Sequence, residues 1–369
     1  MAEPLKNQFG PDVPARIADM LIAVDPTFQR DAFIERCLDG FDDLELTPRA
    51  RHISDALAEF LPDDRALALR VIIDSLPEHG DAAELTGMEG FRYLPYVFFV
   101  ADHGLDHFET AMTAQYELTK RFTAEFSIRA YLEHAPEATL DRLHVWARDP
   151  DVHVRRLVSE GTRPRLPWAP RLPAFQADPS PVIELLELLK DDPEEYVRRS
   201  VANNLNDISK DHPERATEVA RRWWTEGDDV RRKLVRHGLR TLVKQGDPAA
   251  LEILGYVADS PIQVDAVVID PDRVAIGDKV RIEVSLTNPS DTPAGGLVDL
   301  RVHFVKANGA TSPKVFKGAE VTIPPGQTTA VRKTVSIAQH STRTHYRGFH
   351  SVDIMLNGVT HDGGSFEVL

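Results

Sequence analysis

The hydrophobic pattern of this chain changes period once, near Tyr256, and that change restricts its architecture more than any other feature. From about Pro14 to that point apolar residues recur at spacings of three and four, as in ARIADMLIAV, RALALRVIIDSL, YLPYVFFVADHG and ATLDRLHVWARD. That spacing lines one face of an α-helix. Short breaks such as LPDDR separate the helices, and a polar, Gly-containing connection is expected over residues 78–90. After Tyr256 the segments shorten and many alternate with period two: VDAVVI, KVRIEVSLTN, LVDLRVHFVK, KVFKG, TAVRKTVSI, HSVDIMLNG and SFEVL. Turn signals such as Pro324-Pro325-Gly326 and Asn357-Gly358 stand between them. These strands, spread over roughly 110 residues, predict an immunoglobulin-like β-sandwich without the usual Cys pair. The expected division is a helical domain over residues 1–258 and a sandwich over 259–369, with the boundary near Ser260-Pro261.

A weak repeat runs through the helical part. DPDVHVRRLV, DPEEYVRRSV and GDDVRRKLV align on Val154, Val197 and Val230, each followed by two arginines, at spacings of 43 and 33 residues. Acidic residues at a helix start suit N-capping and the helix dipole. A period of ~40 residues suits helix pairs stacked as a HEAT-like α-α superhelical solenoid. The fold class expected is therefore mostly α, a solenoid followed by the sandwich. Between the first two repeats Pro164, Pro167, Pro170 and Pro173 recur every three residues and forbid a helical ladder. They are expected to hold Trp168 on a stiff, extended, partly polyproline-II segment.

The formal net charge of −15 argues at first against a polyanionic partner. Its distribution argues otherwise. Residues 1–119 hold 9 Lys+Arg against 23 Asp+Glu, whereas residues 120–250 hold 23 against 22. Binding depends on how charges are placed rather than on their sum. In the middle third, Glu125 and Arg129 share a helical spacing, as do Arg156, Glu160 and Arg163. So do Arg199, Asn203, Asp207 and Lys210, and then Arg232, Arg236, Arg240 and Lys244. In a solenoid, equivalent helices line one wall, which would bring Glu125, Glu160 and Asp207 together. The plain alternative is a set of solvated i,i+4 ion pairs, each worth a few tenths of a kcal/mol. The last helix, RRKLVRHGLRTLVKQG, resists that alternative because no acid lies between Asp229 and Asp247; phosphate contacts explain it better. The loop STRTHYRGFH gathers Arg343, His345, Tyr346, Arg347, Phe349 and His350, a basic and aromatic mixture suited to nucleic acid. An ordinary sandwich loop is an equally good account of it.

The only cysteine is Cys37, so no disulfide framework and no Cys-based zinc site is expected. His144, His153 and His237 show no metal-ligand spacing, and no Walker loop, GxGxxG or GxSxG occurs. Neither metal nor cofactor is expected. No stretch approaches the roughly 20 apolar residues of a membrane span, and MAEPLKNQFG does not read as a signal peptide. A cytoplasmic monomer, nucleoid-associated when bound to DNA, is expected.

Four motifs carry a family resemblance: TAEFSIR (Thr123–Arg129), VRRLVSEGTRPRLPW (Val154–Trp168), VRRSVANNLNDISKDHP (Val197–Pro213) and RRKLVRHGLRTLVKQG (Arg231–Gly246). With them the chain resembles the DNA alkylation repair glycosylases built on HEAT-like repeats, in the AlkC type that appends an Ig-like domain. The resemblance implies excision of 3-methyladenine and 3-methylcytosine from double-stranded DNA, on a base left in the stack. It implies a catalytic cluster of Glu125, Glu160 and Asp207, with Asp207 orienting water and Trp168 packing on the sugar or cationic base. Arg156 and Arg163 would hold the backbone beside the lesion and keep the carboxylates ionised. Arg199, Lys210, Arg232, Arg236, Arg240, Lys244, Arg343 and Arg347 would contact phosphates. Two other readings stay open: a non-catalytic scaffold docking partners on its acidic N-terminal third, and a DNA-binding adaptor without chemistry.

Overall fold

The computed structural model of the chain describes residues 5–78, 89–339 and 343–369. The connection expected over residues 78–90 lies almost wholly outside the described residues, as do Ser341 and Thr342. The chain is helical first and β-stranded last, and it divides into two compact units, Met1–Asp211 and His212–Leu369.

In the first unit the described α-helices run α1 (Asp12–Val24), α2 (Arg30–Leu38), α3 (Leu46–Phe60), α4 (Arg65–Ser75), α5 (Leu94–His103) and α6 (Phe108–Thr119). They continue as α7 (Ser127–His134), α8 (Pro136–Trp146), α9 (Val152–Gly161), α10 (Pro173–Ala177), α11 (Ser180–Leu189) and α12 (Glu195–Ile208). Besides packing on its neighbours in sequence, α3 packs on α5, α5 on α7 and α4 on α6, each the next but one, while α9 packs on α12 and α8 on α11, one helix further along, past the short α10. That stacking is what HEAT-like helix pairs produce. α9 shows the local logic. The Asp151 side chain accepts from the His153 and Val154 amides, capping the first turn. Val154, Leu157 and Val158 form its buried face. Gly161 ends it where α7 presses closest, since a Cβ there would stand 2.5 Å from Ile128.

The second unit joins α13 (Pro213–Glu226), α14 (Asp229–Gly238), α15 (Arg240–Gln245) and α16 (Pro248–Ile253) to the strands. The expected boundary near residue 260 therefore falls inside it. The strands are β1 (Gln263–Asp270), β2 (Arg273–Val274), β3 (Lys279–Thr287), β4 (Ala294–Val305), β5 (Thr311–Ile323), β6 (Thr328–Ser336), β7 (Gly348–Leu356) and β8 (Val359–Val368). They form a three-stranded sheet, β1-β3-β6, and a five-stranded one, β2-β8-β7-β4-β5. Period-two positions such as Val280, Ile282, Val284 and Leu286 face Val298, Leu300, Val302 and Phe304 in one core. The Asn357-Gly358 turn has φ of 48° and 81°, the mirror-image geometry that the Asn-Gly signal selects. Gly358 also touches Gly246 after α15: a Cβ would meet the Gly246 carbonyl oxygen at 2.8 Å. Asn357 Nδ2 donates to the Val257 carbonyl at 2.9 Å. The last helices and the sandwich thus share packing.

Three expectations need correction. β2 is too short for alternation to reveal and pairs in parallel with β8. The basic stretch forms two helices, α14 and α15, broken at Leu239, rather than one. The repeat is real only twice: Val154 and Val197 are fully buried, but Val230 is 47% exposed, because α14 packs through Leu234 and Val235 instead.

Candidate active site

One row of alternating charge runs from Glu125 in the turn before α7, through Arg156 and Glu160 on α9 and Arg163 just after it, to Asp207 on α12 and Lys210 just after it. Arg156 donates to Glu125 and lies 3.5 Å from Glu160. Arg163 donates to Glu160 at 2.6 Å and to Asp207 at 2.7 Å, and Lys210 donates to the other Asp207 oxygen at 2.8 Å. Behind it, Ser159 donates to Ser200 at 2.7 Å and Ser200 to Glu160 Oε2 at 2.6 Å. Asn204 Nδ2 ties the two helices by donating to the Ser159 carbonyl at 2.8 Å. Glu160, Arg163 and Asp207 are buried, Arg156 and Glu125 half-buried, and Lys210 exposed.

The charge balance favours the ionised forms of Arg156, Glu160 and Arg163. Burial alone pushes the Glu160 carboxyl up, but Arg156, Arg163 and Ser200 outweigh it and hold it below its ordinary value. Burial likewise opposes the charge on Arg156 and Arg163, yet their carboxylate partners leave both raised. A buried ion row is no efficient stabiliser, since well-packed apolar residues often do as well or better. Its presence is better explained by chemistry.

Three details differ from the expectations drawn on the sequence. Glu125 does not share a helix face with Arg129; it sits in the turn before α7, where Thr123 Oγ1 donates to it at 3.0 Å. Both oxygens of Glu160 and of Asp207 accept hydrogen bonds, whereas Glu125 Oε1 accepts none among the described residues. Arg163 turns inward, donating from its guanidinium to the two carboxylates inside the protein. Arg199 is exposed on α12. One residue was missed: the exposed ring of Tyr196 lies over the Arg156 guanidinium, 5.4 Å away. Its signal was the aromatic position just before Val-Arg-Arg, filled by His153 in the first repeat.

The proline segment is not an extended rod. It turns at residues 164–165 and 167–168, and the Leu172 amide donates to the Pro164 carbonyl at 3.1 Å, closing a compact loop. Leu166 and Leu172 anchor it inside. Trp168 is held at φ 65°, a left-handed conformation unfavourable for a bulky side chain, with its indole 67% exposed. Local strain beneath a projected aromatic is a mark of a functional position.

The remaining sequence candidates belong to the second unit. Arg236, Arg240 and Lys244 are exposed and Arg232 is half-buried. Compensation that the sequence hid comes from Glu320 on β5, 3.8 Å from Arg236, while the nearby Asp229 lies 3.6 Å from Arg232. Trp224 lies under both guanidinium groups, at 5.2 and 5.7 Å. In the Arg343–His350 loop, Arg347, Tyr346 and Phe349 are exposed, while Arg343 stacks on Phe304 at 4.6 Å. His345 and His350 are corrected to interior residues. Both pack on Phe304, and His350 also stacks on Phe366. Among the described residues no His, Cys, Asp and Glu cluster is arranged for a metal ion, and no helix is long and apolar enough to cross a membrane.

Along its full length the chain superposes on Pseudomonas fluorescens alkylpurine DNA glycosylase AlkC bound to DNA containing an abasic site analog, with TM-score 0.90, 34% identity and 100% of both chains covered. It belongs to the AlkC-type DNA alkylation repair family. Within this AlkC-type chain, residues 119–240 match the family described as DNA alkylation repair enzyme, which takes in the whole charged row and α14. Residues 263–369 match the C-terminal Ig-like domain described for uncharacterised protein YhaZ. The uncharacterized protein YhaZ of Bacillus subtilis (strain 168) is 36% identical over 344 residues, 93% of each chain.

Proposed function

We propose that this AlkC-type chain is a DNA glycosylase that hydrolyses the N-glycosidic bond of N3-alkylated cationic bases, 3-methyladenine and 3-methylcytosine, in duplex DNA. The observation that carries the reading is the row of three carboxylates interleaved with cations in the same unit as the exposed Trp168. Family membership and the likeness to AlkC support it.

A base alkylated at N3 already bears positive charge and departs without being protonated. Breaking its bond builds cationic character on the deoxyribose, as in other oxocarbenium-like glycosyl transfers. Carboxylates fixed where that charge develops stabilise it. The open oxygen belongs to Glu125, so Glu125 takes the role of orienting or deprotonating the attacking water. Glu160 and Asp207 supply the field, each of their oxygens already accepting a hydrogen bond from the row or from Ser200. This moves the water from Asp207, which the resemblance favoured, to Glu125, because Arg163 and Lys210 already occupy both Asp207 oxygens. Trp168 packs on the sugar or cationic base, and exposed Arg199 and Lys210 hold the backbone of a strand whose lesion stays in the stack.

The test is base release from methylated duplex DNA by wild type, Glu125→Gln and Glu160→Gln, with abasic-duplex binding measured in parallel. Release by wild type, with variants that bind but release little, supports the reading. Salt-sensitive binding with no release by any of them makes the chain an adaptor and removes the enzyme.

A further inference from the structure

We propose that Arg129 is a positioning residue that sets the Trp168 indole relative to the carboxylate row, an inference that rests on the glycosylase reading above. Arg129 is buried on α7, and Nη1 donates to the carbonyls of Gly161 at 3.0 Å and Arg163 at 2.7 Å. Nη2 donates to the carbonyl of Pro170. One planar fork therefore grips both arms of the loop that presents Trp168. The three points matter individually. Gly161 ends α9, where carbonyls lack helical partners and the dipole is negative. Arg163 is the residue whose side chain bridges Glu160 and Asp207. Pro170 lies two residues beyond Trp168 on the returning arm.

The prolines explain why an outside donor is needed. Pro164, Pro167 and Pro170 have no amide hydrogen, so at those positions the loop offers carbonyl acceptors but no donors. The guanidinium supplies the missing donors. Its cost is visible. Arg129 makes no ion pair among the described residues, its Nε has no acceptor there, and burial lowers its pKa to about 10, leaving it charged at neutral pH. A buried cation without a carboxylate is expensive. A simple cap on α9 would need only the Gly161 contact; the reach to Pro170 serves the loop. Arg129 is buried under that loop and touches no substrate, so it acts through Trp168 and Arg163.

The experiment uses the full chain carrying Arg129→Lys, which keeps the charge and loses the fork, together with Trp168→Ala and the double variant. The probe of position is 19F NMR of protein labelled with 5-fluorotryptophan, its four resonances assigned by Trp→Phe substitution. In Arg129→Lys the Trp168 resonance should broaden or split while those of Trp146, Trp223 and Trp224 hold. Single-turnover base release at saturating DNA should fall about tenfold or more, with abasic-duplex affinity kept within about threefold. In the Trp168→Ala background Arg129→Lys should cost much less, because the two act as a unit. An unmoved Trp168 resonance, movement of all four with a lowered Tm, or full additivity in the double variant overturns the proposal. A wild type that releases no base, with the Trp168 resonance still responding selectively, keeps Arg129's hold on the loop and removes the glycosylase reading.

Discussion

The same Val-Arg-Arg triplet opens α9 and α14, and the two helices use it in opposite ways. In α9, Arg155 forks onto Asp192 at 2.6 and 3.2 Å, and Arg156 reaches Glu125. In α14 the triplet's half-exposed Arg232 stands 3.6 Å from Asp229, and Arg236, one turn on, stands 3.8 Å from Glu320. The buried acid of that second region, Asp299 on β4, accepts the Gly318 amide at 2.9 Å, at a bulge where any Cβ on Gly318 would meet the Val298 carbonyl oxygen at 2.1 Å. Burial pushes the Asp299 carboxyl up, and it faces a cavity of about 500 Å³ shared with Arg236, Arg240, Lys244 and Lys317. Around α9 the charges are matched within hydrogen-bond reach, giving a fixed local field. Around α14 the cations remain exposed to solvent, which suits attraction of a polyanion over distance.

The sharpest way to break that contrast is to neutralise the open carboxylate. Glu125→Gln should lower single-turnover base release by about 10²–10³-fold, with abasic-duplex binding retained; equal loss of binding would mean that the row grips DNA as α14 is proposed to. Trp168→Gly should cut release about tenfold, the effect of removing one modest transition-state interaction. The same change should raise Tm by a few degrees, because glycine accepts φ 65° without the roughly 1 kcal/mol that a bulky residue bears there. A lowered Tm by calorimetry would show that the strain is not real. On the other side of the contrast, Arg236→Ala with Lys244→Ala should reduce the slope of log affinity against log salt by about 0.9 for each phosphate no longer neutralised, leaving release at saturating DNA intact. An unchanged slope would remove those residues from the DNA interface.

The smallest effect is in pH. Glu160 titrates lower folded than unfolded, so its share of stability is complete above about pH 4.3 and is lost as pH falls. Asp299 titrates higher folded than unfolded, so its ionisation costs stability as pH rises above about 3.9. In urea midpoints measured against pH, Glu160→Gln should flatten the acid limb, and Asp299→Asn should gain stability toward neutrality. Shifts of the same sign in both would erase the distinction.

Much of this was legible in the sequence because it is local. Helical and alternating spacings distinguished the two kinds of architecture, and i, i+4, i+7 placed Arg156, Glu160 and Arg163 on one face. What escaped depends on residues far apart in the chain. Glu320 is 84 positions beyond Arg236, so α14 read as uncompensated. Arg129 had a tempting acid four residues before it, yet its hydrogen-bond partners are carbonyls at 161, 163 and 170. Spacing alone could not show that Glu125 leaves the helix, or that Trp168 takes a left-handed backbone within a loop closed by its own carbonyls. The failed third repeat has the same cause: Val230 matches in letters, but what packs on α14 selects Leu234 and Val235.

The close meeting of Gly246 and Gly358 has a bearing on how such a chain can be recombined. Side-chain-free backbone on both partners means that neither surface was shaped to face solvent, so a transplant of the β-sandwich cut at residue 260 would carry a hairpin whose seat stayed behind on the donor. A graft that begins at His212 takes both halves of that seat along, and the basic helices travel with it as one inherited block.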